Sequence, residues 1–232
     1  DPITKVTWDN AALISSSTAK ELGVSDYDVI AIEQGGRKIE VAALIQPGQP
    51  DGCITLELGY GRTACGHVGT GVGHDVYPLR TTAAMGFLTG TQVRKTGATY
   101  KLVTTQEHHS MEGRDLVREA SLEEYRKDQH AFEPHHEIEL FKLHPEPRSY
   151  EQGQQWGMAI DLTSCIGCNA CMVACQAENN IPVVGKEQVE RGREMHWIRL
   201  DRYYTGAEDD PQLVYQPLTC MHCENAPCEV VC

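Results

Sequence analysis

Cys165-Ile166-Gly167-Cys168-Asn169-Ala170-Cys171 runs on through Met172-Val173-Ala174 to Cys175. The spacing is C-x2-C-x2-C-x3-C, that of thiolates that ligate iron–sulfur clusters. Three thiolates set two residues apart wrap one loop around three corners of a cubane. Small residues such as Gly167 and Ala170 let that loop close tightly with its amides toward the sulfurs. Cys175 follows after three more residues, on a predicted helical turn through Met172 to Glu178, where it faces away toward a neighbouring cluster.

A second set repeats the plan with a longer middle loop. Cys220-Met221-His222-Cys223 is followed by Glu224-Asn225-Ala226-Pro227-Cys228 and then by Cys232, giving C-x2-C-x4-C-x3-C. A zinc ribbon uses four ligands in paired C-x2-C knuckles. It leaves Cys171, Cys175, Cys228 and Cys232 without a role. Redox chemistry of the C-x-x-C type needs neither the third nor the fourth cysteine of a set. The candidate ligands are therefore Cys165, Cys168, Cys171, Cys175, Cys220, Cys223, Cys228 and Cys232, with iron as the metal. His222, inside the second loop, is placed either to donate to a cluster sulfur or simply to pack the loop. A thiolate-ligated cubane is anionic and costly to bury without nearby cations. Lys186, Arg191, Arg193 and Arg199 are the candidate compensating cations close in sequence, and any single one of them reads rather as an ordinary solvated charge.

Outward from these loops, Trp156 to Leu162 and His196 to Tyr204 alternate as strands do, and Ile181 to Glu194 is an insertion between the two halves. The other two of the ten cysteines, Cys53 and Cys65, precede residue 155, where composition changes and a domain boundary is expected. Neither has a ligand partner nearby, so both are expected to pack as small apolar residues.

Residues 1–105 read as mostly β. Ser15 to Thr18 caps a short helix through Leu22 that Gly23 stops. Asp28 to Glu33 and Lys38 to Ile45 form a hairpin about Gly35-Gly36. Cys53 to Leu58 is a third strand. Val93 to Lys95 and Tyr100 to Thr105 make a second hairpin about Thr96-Gly97. Many short strands with Gly and Pro turns suggest a barrel or sandwich. Glycines at 59, 61, 66, 69, 71 and 73 form either a ligand-cradling loop or a long loop with left-handed turns. No helix pattern follows, so neither a Rossmann turn nor a P-loop is supported.

Residues 106–155 crowd acids, bases and histidines together and read as an irregular connector. It has a helical turn at Leu122 to Arg126 and an extended linker at His144-Pro145-Glu146-Pro147. Adjacent side chains diverge, so His108-His109 and His135-His136 read as solvated histidines rather than chelating pairs.

The 33 acidic and 20 basic residues give a net charge of −13 over 232 residues, which argues against a nucleic-acid partner. Val41 to Ile45 is an apolar run of five, and nothing approaches the roughly twenty needed to span a bilayer. No secretory signal is recognisable at the start. Asp1 is not an initiator Met, and the chain reads as part of a longer polypeptide.

The run CIGCNACMVACQAENNIPVVGKEQVERGREMHWIRLDRYY, followed by CMHCENAPCEVVC, resembles the iron–sulfur subunits of the molybdopterin oxidoreductase class, those of dimethyl-sulfoxide and polysulfide reductases. With LGYGRTACGHVGTGVG and EHHSMEGRDLVREASLEEYRK, the whole chain resembles the large iron–sulfur subunit of alternative complex III, a bacterial quinol oxidoreductase. The resemblance implies an α+β chain. Residues 1–105 would be a molybdopterin-dinucleotide-binding-like β-barrel of double-psi type, expected to hold no molybdenum cofactor. Residues 106–155 would be a connector, and residues 156–232 a ferredoxin-like iron–sulfur domain truncated at its carboxyl end.

The resemblance also implies [4Fe–4S] clusters, with a [3Fe–4S] cluster in the full-length protein. There, the first cysteine set shares clusters with a fourth set and the second with a third. The two-cluster ferredoxin rule would instead pair Cys232 with the first set and Cys175 with the second. The expected role is electron relay from quinol toward c-type haem, with no catalytic residue of the chain's own. The implied partners are membrane quinol-oxidising subunits and c-type cytochrome subunits, at the outer, periplasmic face of the cytoplasmic membrane. A second reading is a molybdopterin-dependent oxidoreductase whose barrel binds the pterin dinucleotide through Gly59 to Gly73. A third is a zinc-stabilised binding module.

Overall fold

A computed structural model describes residues 1–133, 152–223 and 226–231. His135-His136, His144 to Pro147 and Cys232 lie outside the described residues.

The strand that decides the amino-terminal half is apolar on both faces. Val41, Ala42 and Ala43 are fully buried within β3 (Arg37–Ile45). Side chains alternate across a strand, so both faces of β3 must be covered. On one face Ile39, Val41 and Ala43 pack with Ile30 and Ile32 of β2 (Asp28–Gln34) and with Ala12 and Ile14 of β1 (Ala12–Ile14). Ala19 of α1 (Ser16–Leu22), Val76 and Leu79 close that side. On the other face Ala42 packs with Val6, Ala11 and Leu102. Truncating Ile30, which has no exposed surface, would open a cavity costing about 2–5 kcal/mol.

The local signals act as the sequence predicts. The Ser15 hydroxyl accepts the Thr18 amide at 3.0 Å, and Gly23 ends α1 in the left-handed region. β2 and β3 pair antiparallel about Gly35-Gly36, from Gln34↔Arg37 to Val29↔Ala42. β1 lies parallel to β3, and the short β4 (Thr55–Leu56) runs antiparallel to β1.

Two expectations give way. Residues 92–105 do not fold as a hairpin. β5 (Gln92–Thr99) is one strand that crosses Gly97 and pairs along β2. The register slips between Asp28 and Ile30, and Gly97 takes a φ of +88°. Thr96-Gly97 thus lies in a bulge rather than a turn, where two extra residues of β5 are taken up with the glycine left-handed. The sheet order is β4-β1-β3-β2-β5. No closed barrel is found among the described residues. β4 and β5 sit at opposite edges, and two residues of β4 are too few to close the gap.

The glycine-rich stretch holds a single short helix, α2 (Gly66–Gly69). Its flanks cross one another. A Cβ on Gly61 would lie 2.6 Å from the His74 carbonyl carbon, and one on Gly73 would lie 2.9 Å from Tyr60. Asn10 fixes the crossing, donating to the carbonyls of Glu57 and His74 and accepting the His74 amide at 2.8 Å. Gly61 and Gly73 are explained by the loop packing on itself.

Within 106–133 the expected turn is α3 (Leu122–Lys127), opened by a reciprocal capping box of Ser121 and Glu124. The carboxyl-terminal third contains α4 (Ala170–Glu178), α5 (Lys186–Glu190) and a hairpin of β6 (Arg199–Gly206) and β7 (Pro211–Leu218). His196 to Ile198 fall before β6. Trp156 to Leu162 pairs with no strand among the described residues. Its even-numbered side chains are exposed, Trp156 at 90% and Met158 at 73%.

The hairpin seats on the preceding chain through polar contacts, most of them to backbone. The Lys5 ammonium donates to the Leu200 carbonyl. The buried Arg202 guanidinium donates to the carbonyls of Ile3, His108 and Thr4 at 2.7, 3.1 and 3.4 Å. The Gln46 amide donates to the Tyr204 hydroxyl. Among the described residues no helix is long and apolar enough to cross a membrane.

Candidate iron–sulfur centre

The first cysteine loop has no regular structure from Cys165 to Asn169, so its shape is set by backbone conformation and packing. Gly167 and Asn169 both take left-handed φ, +69° and +64°. These two reversals coil the loop and bring it onto the start of α4. Gly167 is buried, although Ile166 and Cys168 on either side are exposed. Its cover is Tyr215 in the middle of β7. A Cβ on Gly167 would lie 2.6 Å from ring atom Cε2 and nearer still to Cε1 and Cζ. Burial pushes the Tyr215 phenol up, with smaller contributions from Tyr204 and the Cys165 thiol.

Cys171 sits in the first turn of α4 and Cys175 one turn later. The i, i+4 spacing puts both on one face. Cys171 is close to the free amides at the helix start. The Asn179 side-chain amide, just past α4, donates to the Cys175 carbonyl at 3.0 Å and faces its Sγ at 3.5 Å. Sequence reading missed Asn179, although an Asn closing a cysteine-bearing helix was the available signal.

In the second set Cys220, Cys223 and Cys228 are all exposed, and Cys228 immediately precedes a 3-10 turn at Glu229–Val231. His222 has a left-handed φ of +52° and its side chain is exposed. None of the described cysteines is in a disulfide. No group of three His, Cys, Asp or Glu side chains is gathered at metal-binding distance among the described residues. The donor set is all thiol, the ligand type that selects iron–sulfur clusters, and the first loop is coiled by its left-handed residues. By chemistry and loop conformation these residues fit such a cluster.

The cations near the loops have other partners. Lys186 lies 2.7 Å from Asp9, Arg191 pairs with Glu187, Arg199 with Asp201, and Arg193 donates to Gln188. Asp9 is a site residue that sequence reading missed, because nothing in the pattern Asp9-Asn10 before a strand signals burial. Its carboxylate accepts the Gly73 amide at 2.8 Å and the Tyr100 hydroxyl at 2.7 Å. The Lys186 ammonium sits 3.9 Å above the Tyr100 ring. The Trp8 indole donates to Val184 at 2.9 Å. The insertion between the cysteine sets is therefore an anchor onto the amino-terminal unit.

Cys53 and Cys65 are exposed, not packed. Cys53 follows the Asp51-Gly52 turn and Cys65 precedes α2, both positions that leave the thiol at the surface. The His108 ring meets the Ser110 carbonyl, whereas the His109 ring stands edge-on to Tyr204 at 5.3 Å. The two rings thus diverge, as adjacent residues do.

Residues 164–232 match the family described as the 4Fe-4S dicluster domain. That match, with relatives named as iron–sulfur subunits, makes [4Fe–4S] clusters the cofactors of this region. One relative is the menaquinone reductase iron–sulfur cluster-binding subunit of Nitratidesulfovibrio vulgaris, 39% identical over 79 residues, or 34% of this chain. A second is the arsenate respiratory reductase iron–sulfur subunit of Shewanella sp., 37% identical over 76 residues, or 33% of this chain. A third is the Hdr-like menaquinol oxidoreductase iron–sulfur subunit 1 of Archaeoglobus fulgidus, 31% identical over 101 residues, or 37% of this chain. The chain covers 31%, 28% and 36% of those relatives' own lengths.

Proposed function

We propose that this chain is part of an electron-transfer iron–sulfur subunit of a membrane-associated quinol oxidoreductase, of the alternative complex III type. The observation that carries the reading is the dicluster match over residues 164–232, which spans both cysteine sets. Cys165, Cys168, Cys171, Cys175, Cys220, Cys223, Cys228 and Cys232 are the ligands, and no residue of the chain performs substrate chemistry. The bound clusters supply one-electron carriers. The protein holds them in place, limits water, and aims amide donors at their sulfurs, which together set the potential.

The complex-level reading rests on the resemblance across the chain and on relatives whose names place them in menaquinone and menaquinol enzymes. On that reading the partners are quinol-oxidising membrane subunits and c-type cytochromes at the outer face of the cytoplasmic membrane, and a [3Fe–4S] cluster accompanies the [4Fe–4S] clusters in the full-length protein. The amino-terminal sheet corresponds to a molybdoenzyme-type region that holds no pterin. Its buried core and self-packed Gly61 and Gly73 support a scaffold role.

Elemental analysis of the anaerobically isolated protein tests this. Iron with acid-labile sulfide and no molybdenum is the expected result. Stoichiometric molybdenum would replace the relay with a catalytic molybdoenzyme, and zinc without sulfide would replace it with a binding module.

A further inference from the structure

Between Cys165 and α4 the first cysteine loop lacks the regular hydrogen bonding of a helix or strand. One side of it is nevertheless fixed. The Tyr215 ring occupies the space a side chain at residue 167 would need, and the left-handed φ at that position independently calls for glycine. The backbone that carries the ring is held in the hairpin. Tyr215 lies in the middle of β7 and pairs across the hairpin with Arg202, whose guanidinium is tied to the carbonyls of Ile3 and Thr4 in the amino-terminal unit and to that of His108 just beyond it. A rigid chain of contacts thus runs from that unit through the hairpin to the backbone of the loop.

A cluster's potential depends on hydrogen bonds to its sulfurs and on its exposure to solvent. Both change if the loop backbone moves. We propose that Tyr215 is a positioning residue that sets the potential of the cluster held by Cys165, Cys168 and Cys171, by holding the Gly167 backbone against the hairpin. This rests on the ligand assignment given above. The aromatic ring is the working part, so Phe substitutes for Tyr and an aliphatic side chain does not.

The test is a potentiometric titration followed by electron paramagnetic resonance, with iron content, on the anaerobically isolated holoprotein and four variants. Cys165→Ser identifies the signal of the first-loop cluster by removing it. Tyr215→Phe should leave that signal's midpoint in place. Tyr215→Leu should change its oxidised-to-reduced ratio at fixed potential about tenfold, equivalent to about 59 mV for a one-electron couple, while the other signals stay put. Tyr215→Val should shift the same signal in the same way, and it carries the test if Tyr215→Leu does not fold. The proposal is overturned if Tyr215→Leu, or Tyr215→Val where the Leu variant does not fold, leaves the Cys165-sensitive signal unmoved, or if the signal changed is a different one. If Cys165→Ser removes no signal, the ligand assignment itself fails, and the proposal with it.

Discussion

Asp9 and Lys5 show how single buried charges hold the iron–sulfur region to the rest of the chain. The Asp9 side chain is wholly buried and faces Lys186, the Tyr100 hydroxyl and the Gly73 amide. Removing one partner of a buried pair strands the other, which costs about 3–5 kcal/mol. Asp9→Ala should therefore lower unfolding stability in urea by about 3 kcal/mol. A loss under about 1 kcal/mol, the range of solvated pairs, would contradict the clamp. Lys5 is pushed down to about 8 from 10.5, by burial first and then by Arg202, against the pull of Asp201. Above pH 8 the folded chain sheds this proton while the unfolded chain keeps it. The unfolded state then binds more protons, so the contribution of Lys5 to stability rises from pH 8 toward 10.5. Lys5→Met should flatten that rise relative to the parent between pH 7.5 and 9.5, read from urea midpoints. Parallel curves would show that the amine is not titrating in the folded state. Neither residue was legible in the sequence. A lysine whose partner is a backbone carbonyl leaves no partner letter in the sequence, and Asp9 meets Lys186 only after the chain has folded across both halves.

At the scale of elements, the β6–β7 hairpin is tied to the amino-terminal half through Arg202, Leu200 and Tyr204. Arg202 reaches three carbonyls because its guanidinium is a planar fork. Lysine cannot reproduce that geometry. Arg202→Lys should leave buried carbonyls unsatisfied, at about 1–3 kcal/mol each, and expose the hairpin to limited proteolysis near Gly206 before the rest of the chain. Unchanged cleavage kinetics would mean that the hairpin is held by other contacts. The sequence was most legible here where a local rule has one outcome. Ser15 with Gly23 bounded α1, and Gly35-Gly36 turned the first hairpin. It failed at Thr96-Gly97, because a glycine after a short strand fits a turn and a bulge alike, and only the β2 register decides between them. The expectation of a closed sheet failed for a similar reason. Strand number is written in turns and alternation, whereas closure depends on which edges meet.

For the whole molecule, the cysteine spacing was the legible part, and residues 164–232 match a dicluster domain. Spacing states the ligand type but not how loops are gathered in space, so the floor provided by Tyr215 and the second role of Lys186 came only from the structure. The carboxyl-terminal region carries several large apolar side chains that stand in solvent. Trp156 is 90% exposed and Ile166 is 78% exposed, with Met158, Val173 and Met221 also exposed. On the proposed function a partner subunit covers these side chains. Tryptophan emission should then shift to shorter wavelength, and quenching by iodide should fall, when the isolated subunit is assembled into its complex. Identical emission and quenching in the two states would contradict that docking face.

The central claim is that the carboxyl-terminal cysteines hold iron–sulfur clusters that carry electrons. The most direct measurement is electron paramagnetic resonance of the anaerobic holoprotein before and after dithionite, with an air-free reoxidation step. The account predicts reversible one-electron signals from more than one cluster. A sample that shows no cluster signal in either state and yields no acid-labile sulfide would contradict it.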